Sequence, residues 1–271
     1  MICAGAAPDA IAGPRVRAVR PGSGLPHPQT MLWIGAHPDD ETVAAPLLAF
    51  WCRDAGVKCT FLTLTRGEAG HCTNSQFCQP DLPSARSAEA ASSSQYFHAD
   101  LILFSFADGG GSADNGWGDR SSVLGMTVRD QVAKIIAAIG PDLVLTFDPR
   151  HGTTCHPDHR AVAGVVYDAW KSGGGATSLY YLETVTHVQA SDVTFATASN
   201  VSGALIFDAN RQLASTGAPA WLSMVDVMRR YPSQFEDWYP AGVERTPPAS
   251  RTTVIEPAFA PSSSSSAPCE Q

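Results

Sequence analysis

Met31-Leu-Trp-Ile-Gly-Ala-His-Pro-Asp-Asp-Glu41 is the stretch on which the reading of this chain turns. Met31–Ala36 is apolar without alternation, the pattern of a strand covered on both faces, and the charged residues that follow open a helix expected over Glu41–Asp54. Pro38 suits the turn, and carboxylates suit a helix start, where unpaired N–H groups attract negative charge. One aspartate would be enough to cap that helix. An imidazole and two further acids in the same turn need another explanation.

Outward from this segment the pattern repeats. Strands are expected at Lys58–Thr65, Leu101–Phe106, Leu143–Phe147, Leu179–Thr184 and Ala204–Phe207. Helices are expected at Ser84–Phe97, Val123–Ile139, His159–Trp170 and Ala220–Arg230. Apolar strands alternating with helices predict an α/β fold: a single Rossmann-like three-layer sandwich with a mostly parallel sheet. Residues 1–29 read as an arm or linker, 30–257 as one domain, and 258–271 as a disordered Ser/Pro-rich tail. In such sheets ligands bind beyond the carboxyl ends of the strands.

The composition narrows the function. Of 271 residues, 44% are hydrophobic and 16% charged, enough for a sizeable core. A formal charge of −8 leaves no basic excess for binding nucleic acid by general electrostatics. No apolar run reaches the roughly 18–20 residues of a membrane span, and no basic segment followed by an apolar one stands at Met1, so a soluble chain is expected. Cys72 and Cys78 bound a short polar loop and are expected to form a disulfide. A second bridge is conceivable between Cys52 and Cys59, which bracket a helix end and a strand start. This cysteine pattern leans towards an exported or periplasmic protein. Asn200-Val-Ser202 fits a glycosylation sequon, a short match that can be incidental.

A second chemistry-bearing segment, Cys155-His-Pro-Asp-His159, follows the strand Leu143–Phe147 and so falls on the same sheet edge as His37. His37, Asp40 and one of His156 or His159 make a set of two imidazoles and a carboxylate with an open position, the ligand count of a catalytic zinc site. A non-haem iron oxygenase uses a similar triad. Asp39 and Asp158 beside it, suited to moving protons, favour hydrolysis, and Asp39 with His156 argues against a merely carbohydrate-binding or metal-storing protein. There is no G-x-S-x-G nucleophile elbow, P-loop or dinucleotide fingerprint.

Trp33–Glu41 together with His156–His159 resembles the LmbE-like, or PIG-L, family of zinc-dependent N-acetylglucosaminide de-N-acetylases. Thr65-Arg-Gly-Glu68, Arg86-Ser-Ala-Glu89, Asp108-Gly109 and Ser233-Gln234 follow the same family order, so the resemblance spans roughly residues 31–235. It implies one zinc ion per chain, held by His37, Asp40 and His159, with Asp39 as general base. It makes His156 the oxyanion stabiliser, with Asp158 behind it, orienting it and keeping it protonated. It puts Arg86 and Asp108 on sugar hydroxyls, and Arg66 is a further candidate for substrate contact or for ordering its loop. Some relatives carry a tyrosine where this chain has Thr154. The substrate it implies is an N-acetylated sugar or glycoconjugate.

Overall fold

The computed structural model describes residues 25–111, 117, 125–182, 184–189, 192–197, 204–245 and 252–258. Most of the expected arm, the tail beyond residue 258 and the sequon at Asn200 lie outside them. The strands are β1 (Thr30–Gly35), β2 (Lys58–Thr65), β3 (Asp100–Phe106), β4 (Leu143–Phe147), β5 (Ser178–Leu182), β6 (Thr184–Gln189), β7 (Asp192–Thr197), β8 (Leu205–Asp208) and β9 (Thr252–Pro257). The α-helices are α1 (Ala45–Ala49), α2 (Leu82–Tyr96), α3 (Val128–Ile139), α4 (Pro157–Ser172), α5 (Leu222–Met228) and α6 (Trp238–Arg245).

Seven strands form one sheet in the order β3-β2-β1-β4-β5-β9-β8. The first five pair in parallel, whereas β9 runs antiparallel to both β5 and β8. The mostly parallel sheet expected from the sequence is therefore present. β6 and β7 pair only with each other, as a separate antiparallel hairpin. Side chains such as Leu32, Ile34, Leu62, Val144 and Leu145 are fully or almost fully buried, the reason these strands read as unbroken apolar runs.

The sheet order places the site. Strand succession reverses between β1 and β4, which are neighbours although more than a hundred residues apart in sequence. The crevice at such a reversal is where doubly wound sheets bind ligands. His37–Asp40 leave β1 there, and the segment carrying His156 and His159 leaves β4 beside them.

The helical run after β1 departs from the single helix expected. It starts as a 3₁₀ turn over Asp40–Ala44, becomes α1, and ends in a π-helical turn over Phe50–Asp54. Cys52 in that last turn is bridged to Cys59 on β2, and Cys72 to Cys78.

Candidate metal centre

The turn after β1 separates two adjacent aspartates. Asp39 has φ 99°, a left-handed conformation that non-glycine residues rarely adopt. Asp40 then folds back: its Oδ2 accepts the backbone N–H groups of Ala36 at 2.6 Å and His37 at 2.8 Å. Its Oδ1 lies 2.9 Å from His159 Nε2 and 3.6 Å from His37 Nδ1. Burial alone would raise its pKa, but His159 and His37 hold the Asp40 carboxyl well below the carboxylate range.

Both imidazoles are fixed from behind. His159 Nδ1 faces the Gly152 carbonyl at 2.9 Å, so Nδ1 is the nitrogen placed to donate there and Nε2 is the one turned to Asp40 and the cavity. Its ring stacks on Phe147 with centroids 4.2 Å apart. His37 turns Nε2 the other way, towards Asp108 Oδ1 at 2.9 Å and Asp158 Oδ2 at 3.3 Å. Burial lowers the His37 pKa, yet Asp40, Asp108 and Asp158 together push it up to about 12. Three carboxylates around one imidazole make a centre that demands positive charge.

A divalent metal fits this donor set. Two donors about 2.0–2.1 Å from one tetrahedral zinc stand roughly 3.3 Å apart. The 2.9 and 3.6 Å separations around Asp40 Oδ1 bracket that value. His156 also brings a ring nitrogen within 4.8 Å of those of His37 and His159.

Asp158 departs from expectation. Its carboxylate does not lie behind His156; it accepts the N–H groups of Gly109 at 2.7 Å and Gly111 at 3.0 Å and faces His37. The cause is helical geometry. His156 caps α4, its Nδ1 accepting the Asp158 backbone N–H at 3.2 Å, while the Asp158 side chain leaves the first turn towards the Gly109–Gly111 loop. An accepting Nδ1 is unprotonated. Loss of water around the ring, with His159 and His37 beside it, lowers the His156 pKa further. Both effects favour a neutral imidazole with its proton on Nε2 over the protonated one expected.

The carried-over substrate residues divide. Arg86 is buried on α2 and pairs with Asp39 Oδ1 at 3.1 Å. It also donates to the carbonyls of Pro38 and Gly67, so its guanidinium is committed to the Asp39 turn. It makes no i,i+3 ion pair with Glu89, whose carboxylate instead accepts the backbone N–H and hydroxyl of Ser233. Asp108 reaches the cavity but spends Oδ1 on His37 and Oδ2 on the Ala69 N–H. Arg66 turns to the start of α2, donating to Ser87 Oγ at 3.0 Å, and does not line the cavity. Of the two roles expected for it, these contacts match loop ordering. His151, which adjoins the second motif, faces Asp148 instead of the cavity.

His37, Asp39, Asp40, Arg86, Asp108, His156 and His159 line one part of a cavity of about 470 Å³. Sequence reading missed its other wall, formed by Val43, Met224, Met228, Phe235 and Tyr239. The sequence signals near it were Ser233-Gln234 and the expected helix Ala220–Arg230, which carries Met224 and Met228. Glu41 and Glu89 are what bring that wall in: Glu41 accepts the Tyr231 hydroxyl at 2.6 Å, and Glu89 accepts Ser233.

Known proteins share this sequence pattern and this fold. The chain is 26% identical over 222 residues to the 1D-myo-inositol 2-acetamido-2-deoxy-alpha-D-glucopyranoside deacetylase of Kineococcus radiotolerans; the match takes in 72% of this chain and 58% of that relative. N,N'-diacetylchitobiose deacetylase from Pyrococcus horikoshii superposes with a TM-score of 0.54 at 18% identity, over 80% of this chain and 75% of that one. The 4-carboxy-2-hydroxymuconate hydratase of Pseudomonas putida also gives 0.54, at 15% identity over 85% of this chain and 96% of that one. A hydratase on the same scaffold means that the fold alone does not choose the reaction. Residues 32–170, just over half of the chain and including both motif segments, match the family described as PIG-L, GlcNAc-PI de-N-acetylase, and to that family this protein belongs.

Proposed function

We propose that the protein is a zinc-dependent hydrolase that removes the acetyl group from an N-acetylated sugar of the N-acetylglucosaminide type. The carrying observation is the division between Asp40, whose oxygens are taken up by His37, His159 and backbone N–H groups, and Asp39, which faces the cavity paired only with Arg86. One carboxylate is built as a ligand and its neighbour as a proton carrier. The family match and the acetamido-sugar deacetylase relative support the substrate class.

His37, Asp40 and His159 would hold the metal. When bound, zinc supplies Lewis acidity and a water whose pKa falls from 15.7 to about 7. Asp39 takes the proton of the attacking water as its oxygen bonds to the acetyl carbonyl carbon. Burial raises the pKa of Asp39 against the pull of Arg86, so its carboxylate is the better base. His156 donates its Nε2–H to the developing oxyanion, which a neutral imidazole can do because only a hydrogen bond is needed. Asp39 then hands the proton to the amine nitrogen as the C–N bond breaks, and acetate and the free amino sugar leave. We place this chemistry in residues 30–257, and the Cys52–Cys59 and Cys72–Cys78 bridges support an oxidising compartment.

Acetate release from a panel of N-acetylglucosaminides tests the reading, with Asp39→Asn as the control. The variant is expected to keep the wild-type metal content while turnover falls by about 10²–10⁴. Wild-type turnover in Asp39→Asn, or a variant that arrives without metal, would remove Asp39 from this role.

A further inference from the structure

The cavity lining is chemically mixed. Beside the imidazoles, the carboxylates and Arg86 it includes Val43, Met224, Met228, Phe235 and Tyr239, an apolar set that comes mostly from α5, α6 and the segment between them. Gln234 is the one amide side chain among the lining residues, and its Nε2 already donates to the His71 carbonyl and Ser233 Oγ. The wall is fixed in place by buried anchors. The Tyr231 hydroxyl donates to Glu41, next to Asp40, and Ser233 donates its N–H and hydroxyl to Glu89 on α2 while its carbonyl accepts the Thr73 N–H. Phe235 and Tyr239 stack with centroids 5.6 Å apart, a preformed aromatic face.

A bare acetamido sugar gains little from such a wall. Its hydroxyls would lose water against methionine and phenyl surfaces and find few hydrogen-bond partners there. A hydrocarbon or aromatic group gains from burial, and methionines adapt to its shape. Building on the deacetylase reading, we propose that the natural substrate bears an apolar group of several carbons close to the acylated amine, seated against Met224, Met228 and Phe235. Either the aglycone or the acyl chain could supply it, since the wall recognises the same chemistry in both.

Three substrates separate the outcomes: methyl N-acetylglucosaminide, hexyl N-acetylglucosaminide, and methyl glucosaminide carrying an N-hexanoyl group. Free amine is followed and kcat/KM compared. Burying a methylene is worth roughly fourfold, so one of the two longer substrates should exceed the methyl N-acetyl compound by about tenfold or more. The one that does so identifies which end of the substrate meets the wall. Met228→Gln should shrink that ratio, and Phe235→Ser is a second variant if Met228→Gln fails to fold. Equal kcat/KM on all three substrates would overturn this inference and leave the deacetylase reading standing. No amine from any of them would overturn both.

Discussion

Asp158 sits between two histidines and serves the one that sequence spacing does not indicate. Two residues from His156, it sends its carboxylate to His37, held in place by the amides of Gly109 and Gly111. Burial would raise its pKa, but His37 and the Gly109 amide lower it, so it meets His37 ionised. A carboxylate on the far nitrogen of a metal-binding imidazole typically changes metal affinity by about 10–100-fold. Asp158→Asn is therefore expected to weaken zinc by that order, measured by competition with a chelator of known affinity. Were Asp158 acting through His156, turnover would drop while zinc affinity stayed at the wild-type value. The two segments that supply the proposed metal donors were legible in the sequence because both directly follow core strands. The partners of those donors were not. Which carboxylate meets which ring depends on loop Gly109–Gly111, almost fifty residues before Asp158, and the Arg86–Asp39 pair depends on how α2 packs.

At the scale of elements, the loop after β2 is shaped to let α2 reach the metal site. Gly67 has φ +66°, and a Cβ there would lie 2.1 Å from Arg86 Nη1, an overlap that only displacement of the guanidinium relieves. Gly67→Ala should both strain the turn and drive Arg86 off Asp39. The expected result is a loss of about 1–3 kcal/mol in stability together with a fall in turnover, read by denaturant unfolding and acetate release. A stable variant with wild-type turnover would show that Arg86 need not hold Asp39. The parallel strands and most of their helices could be read from the sequence, because β1, β2, β4 and β5 are covered on both faces and even the half-buried edge strand β3 is a mainly apolar run. Other elements could not. α6 contains Pro240 and Gly242, which read as breakers, yet proline is tolerated in a first helical turn. β9 comes after α6 as a parallel strand would, so nothing in its local pattern announces an antiparallel strand added to a parallel sheet. The run after β1 was expected as one helix, but a left-handed Asp39 at its start and the Cys52–Cys59 bridge near its end coincide with 3₁₀ and π turns.

The fold as a whole is closed by β9, and its stability is tied to pH through Glu256 on that strand. Glu256 is fully buried and accepts from Arg150 Nη2 at 2.6 Å, which links the last strand to the loop leaving β4. Beside it the buried Asp148 accepts the backbone N–H groups of Arg150 and His151. Burial raises the Glu256 pKa, Arg150 opposes, and Asp148 adds to the rise; the result is about 7, against 4.5 for the free side chain. A group that binds its proton more tightly in the folded state stabilises the fold fully below the unfolded pKa. That contribution fades as pH rises through the folded one. The window for Glu256 therefore runs from 4.5 to about 7. Asp148 behaves in the opposite sense, since its lowered pKa makes stability fall away only at pH below its ordinary 3.8, outside that window. Glu256→Gln keeps an oxygen for Arg150 and removes the titration. Its apparent unfolding midpoint should equal that of wild type at about pH 4.5 and exceed it by on the order of 5 °C at about pH 8. A gap between the two proteins that does not widen across this range would mean that Glu256 does not set the pH response of the fold.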